Sequence, residues 1–271
     1  MKIKHLIIAF SIIIIFIILV TALLPLMLSG PDFAVNFRYI TLPLLLFMAI
    51  LLISLSIFFF LNYRLLSLLE REDWPALAYY LEQKVYTKNH YNARNVRLLA
   101  SSYLVISDYL SVLKLEGKAL LIKPSVIEKN ALIFGSARVL SGKHDEAAAF
   151  FKSYMKKCGK SERGWMRWFY SFSLLLGGDF AQAEPEFAEM AFSSGSALIT
   201  GLSAYFLHNS LEKHSANPEE CRQKAQKGKE RVVKALVNLE GWRRETGKSG
   251  TDIHIAIIRK YVEEAGIWLF S

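Results

Sequence analysis

Two cysteines in 271 residues, Cys158 and Cys221, are too few for a disulfide framework, and the chain has no CxxC pair to suggest a zinc or redox site. A phosphate-binding glycine-rich loop, a GxSxG elbow and an HExxH helix are also missing, and with them the common marks of nucleotide, serine-hydrolase and metalloprotease chemistry. Ser153-x-x-Lys156 and Ser210-x-x-Lys213 have the spacing of a Ser–Lys nucleophile pair. That tetrapeptide is common in helical sequence, and its companion motifs are absent. His208, His214 and Cys221 stand six and seven residues apart, share no helical face and lack a fourth ligand. The sequence therefore reads as non-enzymatic, with no catalytic residue, metal or cofactor assigned.

Charge is missing from two stretches. Residues 6–28 and 40–61 contain no Asp, Glu, Lys or Arg, and each exceeds the roughly 20 residues a helix needs to cross ~30 Å of hydrocarbon. A wholly soluble protein is excluded. So is a disordered one, with 53% hydrophobic and 13% aromatic residues and a formal net charge of +9. Lys2 and Lys4 would suit a signal peptide, but the apolar run that follows is too long and no A-x-A-like site closes it. The first stretch reads as a retained helix. With Gly30-Pro31-Asp32 between them, the two stretches are expected to form a transmembrane hairpin over residues 1–62. Lys2, Lys4, Arg64 and Arg71 flank its outer ends and only Arg38 lies in the link, so the positive-inside rule places both termini and the main domain in the cytoplasm. The setting this implies is a bacterial inner membrane. Neither span holds an ionisable residue for a proton or ion path, so anchoring is their expected role.

After Tyr63 the composition changes: thirty of the 33 Lys and Arg and twenty-three of the 24 Asp and Glu lie beyond it, among helix formers. One pattern recurs. Gly178-Asp179-Phe180 is preceded 36 residues earlier by Gly142-Lys143-His144, 35 before that by Ser107-Asp108-Tyr109, and 35 before that by Glu72-Asp73-Trp74. Small Ala147 and Ala183 follow two of these turns, and Phe151 and Phe187 follow at the same offset. This spacing predicts helical pairs in which the small residues allow close approach and the phenylalanines fill the space between neighbouring pairs.

On these residues the chain resembles the tetratricopeptide repeat family over residues 69–195. The best match is residues 93–125, with Leu99, Ala100 and Tyr103 in the first helix, Ser107 and Tyr109 at the turn, Val112 and Ala119 in the second helix and Pro124 closing. Two positions depart: Glu116 replaces a large apolar residue, and Arg138 stands at the tyrosine position of the next repeat. The resemblance implies an all-α solenoid over residues 63–212, which would continue the second membrane helix through Asn62–Leu66. Residues 213–271 read as capping helices: one starting at Asn217-Pro218 and running to about Trp242, and one over residues 252–270. The apolar residues Val232, Leu236, Ile257, Tyr261 and Ile267 are assigned to packing.

The same register nominates an inner, partner-binding face. Arg94, Arg97 and Ser101 lie on it in one repeat, Lys129, Leu132 and Ser136 in the next, and Trp165, Trp168 and Phe172 in the third. Such a face suits a peptide with an acidic residue and an apolar anchor. The aromatic positions, at i, i+3 and i+7, fit a buried helix face equally well. The function this supports is a membrane-anchored scaffold or adaptor that binds another protein in an envelope-associated assembly, with no small-molecule substrate and no nucleic acid. An alternative is a membrane-surface module that lays the basic run Arg222, Lys224, Lys227, Lys229, Arg231 and Lys234 on anionic lipid.

Overall fold

A computed structural model describes residues 3–28, 42–248 and 253–271. Among these residues every regular element is helical and none is a strand. Contacts divide the chain into two compact units, residues 1–80 and 81–271, so the second unit holds the C-terminal helices together with most of the helices before them.

In the first unit, α1 (Ile3–Leu28) packs along α2 (Leu42–Glu70). Among the described residues α2 alone is both long and apolar enough to cross a membrane. Pro43 sits in its first turn, where a missing N–H breaks no helical bond. The helix does not stop where the apolar run ends but continues through Asn62–Leu66 to Glu70. The link expected to close the hairpin, residues 29–41, lies outside the described residues.

The helices that follow are α3 (Trp74–Glu82), α4 (Ala93–Val105), α5 (Tyr109–Ile122), the single turn α6 (Ser125–Glu128), α7 (Ala131–Leu140), α8 (His144–Tyr154), α9 (Lys160–Leu176), α10 (Phe180–Ser193), α11 (Ala197–Phe206), α12 (Pro218–Leu236), α13 (Leu239–Lys248), α14 (Ile253–Ile257) and α15 (Arg259–Phe270). Five-residue π turns, Gln83–Thr87 and Leu207–Leu211, extend α3 and α11.

The recurring tripeptides build one turn four times. Glu72, Ser107, Gly142 and Gly178 have φ of 53°, 60°, 76° and 82°. At each, the residue after the turn donates to a carbonyl five positions back: Asp73 N to Leu68 O at 3.2 Å, Asp108 N to Tyr103 O at 2.8 Å, Lys143 N to Arg138 O at 3.0 Å and Asp179 N to Leu174 O at 2.9 Å. This is the Schellman closure, in which a left-handed residue satisfies the last carbonyls of a helix. The aspartates then cap the next helix, Asp108 accepting from Ser111 N and Asp179 from Gln182 N, both at 3.1 Å. Ser107 carries a Cβ where glycine is favoured, so Ser107→Gly is expected to stabilise the fold by about 1 kcal/mol, readable as a raised thermal midpoint. No change, or a loss, would mean that the Ser107 side chain has a compensating role.

Successive helices from α4 to α12 contact one another along the chain, with α5 meeting α7 across the short α6. Ala147, Ala183, Phe151 and Phe187 are fully buried. A Cβ on Gly135 would lie 2.3 Å from the Phe151 ring, so glycine is what lets α7 approach α8 there. Phe151 stacks on Phe169 of the next pair, at 5.7 Å between centroids, as its position between pairs predicts.

The two departures from the repeat pattern prove to be partners. Arg138 grips Glu116 through two hydrogen bonds of 2.7 and 3.1 Å, donates to the Phe134 carbonyl at 3.1 Å and lies 4.3 Å over the Phe150 ring.

The C-terminal helices differ from expectation in three places. α12 ends at Leu236 rather than Trp242, because Val237 turns to φ 66° and Asn238 caps a new helix by accepting from Gly241 N at 2.9 Å. The last helix is broken at Ile258 into α14 and α15, and Asp252 lies outside the described residues. Ile267, assigned to packing, is exposed, whereas Val232 is buried.

Candidate partner-binding face

The nominated face does not survive as an open groove. Trp168 is completely inaccessible and Phe172 nearly so, with Phe169 and Phe206 buried around them. Trp168 contacts Phe172 at 5.0 Å, Phe206 at 5.8 Å and Phe187 at 6.1 Å. Ser136 and Leu132 are buried as well. Four of the nine residues thus belong to the core, because an occupant already covers the face. α14 contacts α7, and α15 contacts α11. His254 sits 4.9 Å from Trp165, and Tyr261 lies 5.6 Å from Phe172 and 5.2 Å from Phe206. Trp268 reaches Tyr205 at 6.1 Å, and the Tyr205 hydroxyl donates to Glu264 at 2.9 Å. Burial, and then this bond to a carboxylate, pushes the Tyr205 hydroxyl up to about 12.

The return of the C-terminal helix is the element the sequence reading missed. Its trace was there. Ile255, Ile258, Val262, Ala265 and Leu269 alternate at spacings of three and four and are all buried, while Tyr261 and Trp268 extend the apolar surface around the same helix. A helix apolar over that arc is covered on more than one side, which an end cap is not.

What remains open is the basic end. The side chains of Arg94 and Lys129 are exposed, and Ser101 is half-buried. Arg97 is exposed yet committed: its Nε donates to Asn130 Oδ1 at 3.1 Å, and its Nη2 to the Lys129 carbonyl at 3.0 Å and to Glu162 at 3.1 Å. It ties α4 to the start of α7 and to α9. Trp165, half-buried against His254, marks the other edge.

The three residues that could have suggested a metal go to separate contacts. His214 stacks on Phe180 at 4.0 Å, His208 stacks on Trp268 and pairs with Glu212 at 3.2 Å, and Cys221 Sγ donates to the Leu207 carbonyl at 3.4 Å. Burial raises the Cys158 thiol and pushes the Cys221 thiol from 9.0 up to about 11. Thiolate is the reactive form, so at mildly alkaline pH both thiols are expected to resist alkylation until the chain unfolds, Cys221 by at least about a hundredfold over a free thiol. Rapid labelling of the folded protein would contradict that packing.

Most of the basic run also serves the fold. Arg231 donates to the carbonyls of Ala191, Phe192 and Ser194 at the end of α10, and Lys229 to the Trp268 carbonyl at 2.7 Å. Cations there neutralise helix C-termini. Arg222 pairs with Glu212 at 2.6 Å and Lys224 with Glu220 at 2.8 Å. Lys227 lies 5.8 Å over the Phe192 ring, and Lys234 is left to face outward.

No solved structure matches this chain. An uncharacterized protein of Treponema pallidum (strain Nichols) is 29% identical over 219 residues, covering 77% of this chain and 69% of its own. Residues 111–271, from the second residue pair of α5 through α15, match the model of a family described as "Uncharacterised Treponema protein". With more than half of its length matched, the chain belongs to that Treponema family.

Proposed function

We propose that this chain is a membrane-anchored, non-catalytic scaffold: α1 and α2 form a transmembrane hairpin, tetratricopeptide-like helix pairs carry the main domain in the cytoplasm, and that domain recruits another protein to an envelope-associated assembly. The four Schellman turns at a spacing of 35, 35 and 36 residues support the repeat reading, and the length and apolarity of α2 support the anchor. Family membership in Treponema supports a bacterial membrane. Anchoring would raise the partner's local concentration at the bilayer without adding a contact to it.

The observation that carries the binding reading is the exposed pair Arg94 and Lys129 at the end of the inner face. It suits an acidic segment, and it replaces the aromatic anchor that α15 now accounts for. The test is co-purification in mild detergent with Arg94→Glu/Lys129→Glu against wild type, leaving Arg97 in place because it knits the fold. A protein retained by wild type, lost by the variant and recovered with Arg94→Lys supports the proposal. Equal capture by both, with equal thermal midpoints, moves the contact elsewhere. For the alternative, a membrane-surface module built on α12, Lys234 is the cation of the run that the fold leaves facing outward, since Lys227 lies over the Phe192 ring.

A further inference from the structure

Exposed large apolar side chains are unevenly placed in the second unit. Val105, Ile106, Leu110, Leu120, Leu121 and Ile122 cluster at the end of α4 and along α5, with Leu121 87% and Leu110 67% exposed. Leu110 and Leu121 are eleven residues apart, three turns of helix, so they share one stripe. Between them on that stripe lie Lys114, Gly117 and Lys118, all exposed. The acid of α5, Glu116, points the other way, into its pair with Arg138. The outward charge of α5 is therefore wholly positive, and Lys123 follows at its end.

A cleft of about 430 Å³ opens beside the stripe, lined by Tyr86, Tyr103, Ser111, Lys114, Lys118 and Leu121 among others. Lys118 Nζ stands 4.2 Å over the Tyr86 ring at its edge. Glu82, the acid in this cleft, accepts a 2.6 Å hydrogen bond from the Tyr103 hydroxyl. A Cβ on Gly117 would meet nothing within 4 Å, so the middle of the stripe is an indentation and not a packed contact.

We infer that α5 is an interfacial helix, which lays Leu110, Leu121 and Ile122 into the headgroup region of an anionic bilayer while Lys114 and Lys118 meet lipid phosphates. Isolated exposed leucines need no explanation, but leucines interleaved with lysines on one stripe match a surface that is apolar below and anionic above. An acidic segment alone would meet the lysines and leave Leu121 in water, whereas a bilayer supplies the anionic and the apolar layer together. The inference goes beyond the scaffold reading and rests on it in one respect, that α2 holds the chain at a bilayer. Tethering makes the contact intramolecular, so a weak helix suffices.

The test uses the full chain in nanodiscs of phosphatidylcholine, alone or mixed with phosphatidylglycerol. Gly117→Cys has room for a fluorescent NBD label, and the two native cysteines are buried; Gln223→Cys on the exposed face of α12 serves as control. In anionic discs the label at position 117 is expected to shift to the blue and to be quenched by nitroxide lipids, the control by neither. Lys114→Gln and Lys118→Gln should each lower the docked-to-undocked ratio roughly fivefold, and neutral discs, which remove both attractions, by roughly twenty-five-fold. If position 117 is as open to aqueous iodide as the control in anionic discs, the inference falls. Shielding that persists in neutral discs and after lysine removal also overturns it, since a second copy or a protein partner would then be the cover. Co-elution of chain and disc reports the anchor separately, so failure of α2 to insert is distinguished from failure of α5 to dock.

Discussion

Arg138→Met should destabilise the protein by about 3 kcal/mol, near the lower end of what breaking a buried ion pair costs. The guanidinium and the Glu116 carboxylate are 16% and 11% exposed, so removing one strands the other where water barely reaches. The carboxylate would lose two charge-assisted hydrogen bonds, and the Phe134 carbonyl its extra donor. Glu116→Leu/Arg138→Met should recover most of the loss, because an apolar pair of similar volume needs no solvation. Chemical unfolding followed by tryptophan fluorescence suits the measurement, since all five tryptophans lie outside α1 and α2. If the double variant is as unstable as Arg138→Met, the pair has a geometric role that hydrophobic contact cannot replace.

That pair shows how far a sequence can be read. Glu116 and Arg138 each look like a fault in the repeat pattern, and each is intelligible only with the other, 22 residues away and on a different helix. The turns at Ser107, Gly142 and Gly178 were legible because their chemistry is local: a left-handed residue, an aspartate cap after Ser107 and Gly178, then an aromatic ring. Ala147 and Phe151 were legible because a repeat fixes their neighbours. The break at Val237 was not, since a β-branched residue disfavours positive φ and nothing nearby in sequence signals the turn. Nor was the work done by Arg231 and Lys229, which read as part of a basic run open to anionic lipid until the carbonyls of α10 and α15 are seen to lie against them. The inner face failed for the same reason. Its cover comes from residues almost a hundred positions further along the chain, and periodicity on α9 alone reads equally as groove or core.

The second large effect follows from that cover. Trp168→Ala should cost about 3–5 kcal/mol, the range for deleting a fully buried aromatic whose surroundings cannot collapse. A groove residue would behave otherwise, losing binding and leaving the unfolding midpoint in place. Trp168→Phe offers a sharper reading. The indole Nε1 is buried without a hydrogen-bond partner, and an unmade bond of this kind is itself unfavourable. Phenylalanine keeps an aromatic ring beside Phe172 and Phe206 while removing that polar atom, so its cost should be well below that of alanine. The role of α15 can be isolated by a double-mutant cycle on Phe172 and Tyr261, whose rings meet edge to face at 5.6 Å and 70°. A coupling of about 0.5–1.5 kcal/mol is expected for such a pair. A coupling near zero would mean that α15 rests on the inner face without helping to hold it, and Phe172 would again be available to an outside ligand. A coupling in the expected range makes α15 part of the same cooperative core as α9 and α11. A partner would then have to unfold that core to reach the aromatic end, so the proposed recruitment would be confined to surfaces α15 leaves open, the Arg94 and Lys129 corner first among them.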